Sequence, residues 1–122
     1  MWPFRRSETI GKTGERLARR TLRSAGCKIL ARNYRCPAGE ADLIALAGDT
    51  LVFAEVKTRR GDTFVDPASA IDADKRWRYR RVASYYLHRT GRDDLNVRFD
   101  AILVVLDGGR KPRIRHIPDA FQ

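Results

Sequence analysis

The chain has 122 residues, of which 25 are lysine or arginine and 15 are aspartate or glutamate, so its net charge is +10. The length predicts one compact domain, and the charge favours a polyanionic partner, nucleic acid before membrane, over a basic but unspecialised surface. Cys27 and Cys36 are too few for a disulfide framework or a zinc site, and no apolar run is typical of a signal peptide or membrane span. These features predict a soluble cytoplasmic protein with reduced thiols.

The first helix is predicted over residues 12–25, behind a basic N-terminal arm over residues 1–11, and Gly26 is expected to end it. Its inward stripe has helical spacing and consists of Glu15, Ala18, Leu22 and Ala25. Because Glu15 shares the stripe with residues that pack, its carboxylate is expected to point toward whatever the helix covers.

Three strands, a second helix and two further strands are predicted next. Asp66 as N-cap and Pro67 at the first helical position favour the start of this helix, which is expected to end near His88. The strands are expected at residues 28–34, 40–47, 51–58, 97–106 and 113–117. The order α-β-β-β-α-β-β predicts one α/β domain over residues 12–122, a mixed five-stranded sheet flanked by helices, with its fourth strand parallel to the third.

Charged residues interrupt two of these predicted strands. The second strand carries Glu40 and Asp42, and the third carries Glu55 and Lys57, in stretches that are otherwise apolar. Burying such charges is costly unless they are paired with opposite charges or bound to a metal. The two strands are therefore expected to carry a functional site as well as a core.

The turn at residues 48–49 predicts how these two strands pair. Directly opposed residues then have numbers that add up to 97, which places Asp42 opposite Glu55 and Glu40 opposite Lys57 on one face. The other face receives only apolar residues, namely Ala41, Leu43, Ala45, Val52, Ala54 and Val56. A slip of one residue would mix the two sets, so the separation supports this register.

Two opposed carboxylates repel each other unless a cation lies between them. Lys57 supplies part of that positive charge, and Mg²⁺ or Mn²⁺, which suit oxygen ligands, would supply the rest at Asp42 and Glu55. A simpler interpretation is a Glu40–Lys57 cross-strand pair, with the two other acids solvated on an exposed sheet face. That interpretation leaves the inward position of Glu15 unexplained.

The charged positions resemble the PD-(D/E)xK nuclease superfamily, with Asp42 as its first acid and residues 55–57 as its (D/E)xK element. A closer resemblance is to the YraN family of predicted endonucleases, which are similar to archaeal Holliday-junction resolvases. It covers about residues 11–121 and is carried by GERLA at 14–18, NYR at 33–35, GEADLI at 39–44, VFAEVKTR at 52–59, Lys75, RFD at 98–100 and IPDAF at 117–121. Ala41 stands where isoleucine is commoner, and the usual proline before the first acid is absent.

The resemblance implies a restriction-endonuclease-like fold, and resolvases of this kind commonly work as homodimers. It implies that Asp42 and Glu55 bind Mg²⁺ or Mn²⁺, and that Lys57 orients or activates the attacking water. Glu15 matches the helix-one acid that completes the metal site, and Glu40 matches the glutamate of the family's second-strand motif. The implied catalytic residues are thus Asp42, Glu55, Lys57 and Glu15.

Further basic residues flank the candidate site. Lys75 is predicted on the packing side of the second helix, where it either reaches the phosphate or the acids, or buries only its aliphatic stem. Six arginines would either follow a DNA backbone or form a solvated charged face: Arg59, Arg60, Arg76, Arg78, Arg80 and Arg81.

Four aromatic residues interleave with these arginines, namely Trp77, Tyr79, Tyr85 and Tyr86. They could stack on bases, but their helical spacing favours core packing. Elsewhere, Arg98 and Asp100 share a strand face and are expected to pair with each other. The isolated His88 and His116 receive no catalytic role.

The acids and the charge together predict a metal-dependent endonuclease that hydrolyses phosphodiester bonds in DNA, with branched, single-stranded or otherwise structured DNA as candidate substrates. The alternative is a non-catalytic nucleic-acid-binding protein that retains the nuclease fold. A basic RNA- or ribosome-associated protein would explain the charge but not the acids.

Overall fold

A computed structural model describes residues 8–121, so the first seven residues of the predicted N-terminal arm lie outside the described residues. The elements are α1 (Ile10–Ser24), β1 (Lys28–Cys36), β2 (Gly39–Ala47), β3 (Thr50–Arg60), α2 (Pro67–Ala70), α3 (Ala73–Thr90), β4 (Asn96–Leu106) and β5 (Arg113–Phe121). The predicted order of helices and strands is confirmed, with the second helix divided into α2 and α3.

The five strands form one mixed sheet in the order β1-β2-β3-β4-β5. Three neighbouring pairs are antiparallel, whereas β3 and β4 run parallel, as predicted. A parallel pair needs a crossover connection, and the segment that contains α2 and α3 provides it.

Each face of the sheet is covered by a helix, which makes a three-layer α/β arrangement. Leu17 and Leu22 of α1 pack on one face, in a cluster with Val52. On the other face Tyr86 of α3 meets Phe53 edge to face, with ring centroids 5.8 Å apart. Among the described residues, no helix is long and apolar enough to cross a membrane.

The capping of α1 explains its bounds. Thr9 is the N-cap, and its side chain accepts a hydrogen bond from a first-turn backbone N–H at 3.2 Å, so the helix starts earlier than predicted. Gly26 follows the C-cap with a φ of 91°, a conformation that favours glycine, as expected for the residue that ends this helix.

The inward face of α1 differs partly from its predicted stripe. Ala18 and Leu22 are fully buried, as predicted, whereas Ala25 is exposed because the helix has already ended at Ser24. Glu15 is half-buried at the edge of this face. The buried residues of the helix are Thr13, Gly14, Leu17, Ala18 and Leu22.

The prediction of one continuous second helix is wrong. Asp66 and Pro67 begin only the single turn of α2, after which Ile71 turns into the core and is 3% exposed. Asp72 then adopts an extended backbone, and its side chain accepts a hydrogen bond from Lys75 N at 2.9 Å. Asp72 therefore caps a new helix, α3.

Candidate functional site

The predicted register of β2 against β3 is confirmed over residues 43–47 and 50–54, and the predicted pair of Asp42 with Glu55 lies just beyond the end of this ladder. Leu43 lies opposite Ala54, and their residue numbers add up to 97 as predicted. The turn between the strands contains Gly48 with a φ of 61°. The ladder ends at the pair of Leu43 with Ala54. Beyond it, Val56 N–H donates a hydrogen bond to Asp42 Oδ2 at 2.7 Å, so the carboxylate is fixed directly against β3.

Before this pair, β2 follows β1 instead of β3. Because the ladder with β3 has ended, Glu40 has no partner on β3 and its predicted pairing with Lys57 is wrong. Its partner is Arg35 on β1, with 3.4 Å between Glu40 Oε2 and Arg35 Nε. The predicted apolar face is confirmed except at Ala41, which packs in the cluster under α3. At this level of β1, Asn33 has a left-handed backbone with a φ of 50°.

Asp42 and Glu55 form a pair of touching acids at the base of the site. Glu55 is 7% exposed, and the two side chains share a hydrogen bond. Burial, this hydrogen bond and the negative charge of Glu55 raise the pKa of Asp42 to about 8, although the Val56 N–H opposes the shift. In the absence of a bound cation, the pair therefore retains one proton at neutral pH.

Tyr79 holds both acid-bearing strands from α3. Its hydroxyl accepts a hydrogen bond from Asp42 N–H at 3.3 Å and lies 3.2 Å from Ala54 O and 3.4 Å from Glu55 Oε1, to one of which it donates. Burial and the charges of Glu55 and Asp42 raise the pKa of Tyr79 well above its ordinary value, so the phenol stays protonated. The sequence analysis favoured core packing for Tyr79 and gave it no role in the site. The pattern that could have indicated such a role is its spacing of four residues from Lys75, which puts both side chains on one face of the helix.

Lys75 supplies the cation of the acid pair. Its Nζ lies 2.5 Å from Glu55 Oε2. This oxygen accepts no hydrogen bond within residues 8–121, so the contact is an ion pair whose angles do not fit a hydrogen bond. Of the two roles predicted for Lys75, the structure thus supports the contact with the acids. Lys57 is exposed, and no ion pair involves it within the described residues.

A cleft of about 250 Å³ opens above the acid pair. It lies between α3 and the strands β2 and β3. Its lining residues are Glu40, Asp42, Glu55, Lys75, Arg78 and Tyr79. Lys57 and Glu15 are absent from this lining, so the structure brings together two of the four predicted catalytic residues, together with both predicted supporting residues.

Glu15 approaches the acid pair from the α1 side. Asn33 Nδ2 donates a hydrogen bond to Glu15 Oε2 at 3.3 Å. The negative charge of Glu15 adds a smaller contribution to the raised pKa of Asp42, behind burial and Glu55. Within residues 8–121, no three His, Cys, Asp or Glu side chains lie close enough together to hold a metal ion.

The six predicted nucleic-acid-binding arginines are all exposed but lie in four places. Arg78 lines the cleft, while Arg80 and Arg81 line a neighbouring groove. Arg59 and Arg60 end β3, and Arg76 lies in the first turns of α3.

A second polar cluster lies near the end of β5. Asp100 is fully buried and accepts hydrogen bonds from Arg98 Nε at 2.8 Å and Asp119 N–H at 3.0 Å, with His116 Nε2 2.8 Å away. Burial raises the pKa of Asp100, but the hydrogen bonds outweigh it and hold the pKa below its ordinary value. The predicted Arg98–Asp100 pair is confirmed, while His116 is not isolated.

Comparison with known proteins assigns the chain to a family. Residues 14–104 match the model of the uncharacterised protein family UPF0102. The chain belongs to the UPF0102 family. UPF0102 is the YraN family, so the resemblance inferred from the sequence motifs is confirmed.

Relatives within the UPF0102 family match over nearly their whole length. A UPF0102 protein of Rhodococcus jostii is 46% identical over 92% of this chain and 95% of its own. A UPF0102 protein of Syntrophus aciditrophicus is 44% identical over 98% of this chain and 94% of its own. A third, from Solibacter usitatus, is 47% identical over 93% of this chain and 86% of its own.

Proposed function

We propose that this UPF0102 protein is a metal-dependent endonuclease that hydrolyses phosphodiester bonds in DNA. The observation that carries the proposal is the contact between Asp42 and Glu55 at the base of a cleft that also receives Lys75 and Arg78. Carboxylates and cations in one cleft suit a reaction in which a phosphate and a water must be held together. The net charge of +10 supports a polyanionic substrate.

Asp42 and Glu55 would hold Mg²⁺ or Mn²⁺. Their oxygens suit these hard cations, and the buried Glu55 Oε2, which lies 2.5 Å from Lys75 Nζ, would become available to an ion once Lys75 moved to a phosphate. Such an ion would polarise the phosphate and lower the pKa of a bound water. Glu15, on α1, would be the third acid, which the family resemblance implies.

The cations of the cleft would bind the substrate's phosphate. Lys75 lies where it can exchange its contact with Glu55 for a phosphate oxygen, and Arg78 adds a second donor at the same opening. Tyr79 keeps the acids in position through its hydrogen bonds to both strands. Lys57 projects outside the cleft lining, so its proposed role is contact with the attacking water or an adjacent phosphate once DNA is bound.

The test is cleavage of plasmid, single-stranded and four-way-junction DNA by purified protein with Mg²⁺, with Mn²⁺ or with EDTA. We expect cleavage only with a divalent cation, and a loss of about 100-fold or more in Asp42→Asn. Arg20→Ala, which removes an exposed charge from α1, is the control and should cut as the unmodified protein does. Equal cleavage by Asp42→Asn, or cleavage in EDTA, would contradict the proposal.

A second candidate function is nucleic-acid binding without cleavage. It is favoured by the lack of a preformed three-acid group within residues 8–121 and by the position of Lys57 outside the cleft. This candidate predicts DNA binding that persists in Asp42→Asn and in EDTA, with no cleavage of any substrate. Calorimetric titration with Mn²⁺ separates the two, because only the nuclease requires an ion at Asp42 and Glu55.

A further inference from the structure

The aromatic residues of α3 divide between the core and the surface. Tyr79 and Tyr86 are buried, as their helical spacing predicted. Trp77 is instead 59% exposed and is the only large hydrophobic side chain exposed within residues 8–121. Tyr85 is half-buried beside it. The ring of Trp77 is therefore accessible to a ligand.

Trp77 borders a shallow groove of about 590 Å³ between α3 and the turn that joins β1 to β2. The groove is lined by Pro37, Ala38, Trp77, Arg80, Arg81, Ser84 and Tyr85. Aromatic rings in the groove offer flat stacking surfaces, and guanidinium groups at its edge offer donors for phosphate.

The groove and the cleft are neighbours. Ala38 lines the groove and Glu40 lines the cleft, while Gly39 lies between them. The side chain of Arg78 crosses Gly39, where an added Cβ would lie 3.6 Å from Arg78 Cδ. A strand of nucleic acid that enters the cleft therefore reaches the groove by passing Arg78.

The charge of α3 favours nucleic acid over a protein partner. From residue 75 to residue 90 the helix carries six lysines or arginines and no acid. A protein would need a matching set of acids around an aromatic anchor, whereas a nucleic acid brings a phosphate with every base. In a duplex the faces of the bases are covered by their neighbours, so only unpaired bases can stack on Trp77.

We infer that the groove binds an unpaired DNA base on Trp77, so that the substrate carries a single-stranded segment next to the phosphate held in the cleft. The inference deepens the proposed function and rests on it for the identity of that phosphate. It assigns Trp77 and Tyr85 to stacking and Arg81 to the DNA backbone.

The experiment uses the full chain with Trp2→Phe, which leaves Trp77 as its single tryptophan, because the chain has two. In EDTA, a thymidine oligonucleotide should quench the emission of Trp77, and a duplex of the same length should quench it much less. Trp77→Ala should weaken single-strand binding about tenfold or more, measured by anisotropy of a labelled oligonucleotide, while Trp77→Phe keeps most of it. Arg81→Ala should weaken single-strand binding, whereas Arg20→Ala, which removes the same amount of positive charge from α1, should not.

Because binding is measured without metal, its outcome is independent of cleavage. Equal quenching by duplex and single strand, or unchanged affinity in Trp77→Ala, would overturn the inference even if the protein cuts DNA. A dimer in sedimentation that Trp77→Ala dissociates would also overturn it, since the groove would then be a subunit interface. Single-strand binding that needs Trp77, in a protein that cuts no DNA, would support the groove and reject the nuclease.

Discussion

Lys75 Nζ on α3 lies 2.5 Å from Glu55 Oε2 on β3, so the buried acid takes its counter-ion from across the cleft and not from its own strand. Lys57, two residues further along β3, is the lysine of the (D/E)xK element, yet its side chain is exposed. The charge balance of the acid pair therefore depends on α3. Any change that moves α3 away from the sheet would leave Glu55 without a cation.

Lys75→Met should destabilise the metal-free protein by about 1 to 3 kcal/mol, because the buried Glu55 loses its only ion-pair partner among the described residues. Lys57→Met is the matched control and should change the free energy of unfolding by less than about 0.5 kcal/mol, since Lys57 is exposed. Urea unfolding in EDTA measures both. Equal effects of the two changes would show that the Lys75–Glu55 contact does not stabilise the fold.

Asp42→Asn should stabilise the metal-free protein at pH 7 by about 1 to 3 kcal/mol. The pKa of Asp42 is raised from 3.8 to about 8, so folding at neutral pH requires the carboxyl to keep a proton that the unfolded chain releases. Asparagine can make the same hydrogen bonds without that proton. Unfolding by urea in EDTA at pH 7 is the measurement.

The same shift gives a pH dependence with a definite sign. The stability that the protonated Asp42 contributes is fully present below pH 3.8 and falls as the pH rises toward about 8. The difference between Asp42→Asn and the unmodified protein should therefore grow between these pH values and then level off. A difference that shrinks as the pH rises would contradict the raised pKa.

The hairpin that carries the acids was predictable because two local signals agree. A tight turn at residues 48–49 sets the register, and that register separates apolar from charged positions. The ladder ends at Leu43 and Ala54, one residue before the acids, and Glu40 pairs with Arg35 on β1 instead of with Lys57. Where β2 leaves β3 depends on tertiary contacts that no local pattern encodes.

Two other features of the site could not be read from residue patterns. The break between α2 and α3 follows from the burial of Ile71, whereas Asp66 and Pro67 were an equally good start signal for a longer helix. Tyr79 looked like an ordinary core aromatic because its spacing fits the buried face of α3. Its role depends on where one hydroxyl lies between two strands, which only the packed structure defines.

Gly14→Ala should destabilise the protein by about 1 to 3 kcal/mol. Gly14 is buried where α1 meets β3, and an added Cβ would overlap Thr58 Oγ1 and lie 2.8 Å from Thr58 Cβ. Gly11→Ala on the same helix is the control: nothing lies within 4 Å of its added Cβ, so it should gain about 0.5 kcal/mol from helix propensity. Thermal unfolding of the two variants should therefore shift in opposite directions.

Asp100→Asn should destabilise the protein by about 3 kcal/mol, because it leaves Arg98 and His116 without their buried anion. The pKa of Asp100 is held below 3.8, so its contribution is present above that pH and is lost as the pH falls through the lower, folded-state pKa. The gap between Asp100→Asn and the unmodified protein should accordingly be constant near neutral pH and narrow below about pH 4. Asp107→Asn, which breaks a 3.8 Å pair with the exposed Arg110, is the control and should cost less than about 0.5 kcal/mol at every pH. If the two variants lose equal stability in urea at pH 7, the cluster around Asp100 does not hold β5 to β4.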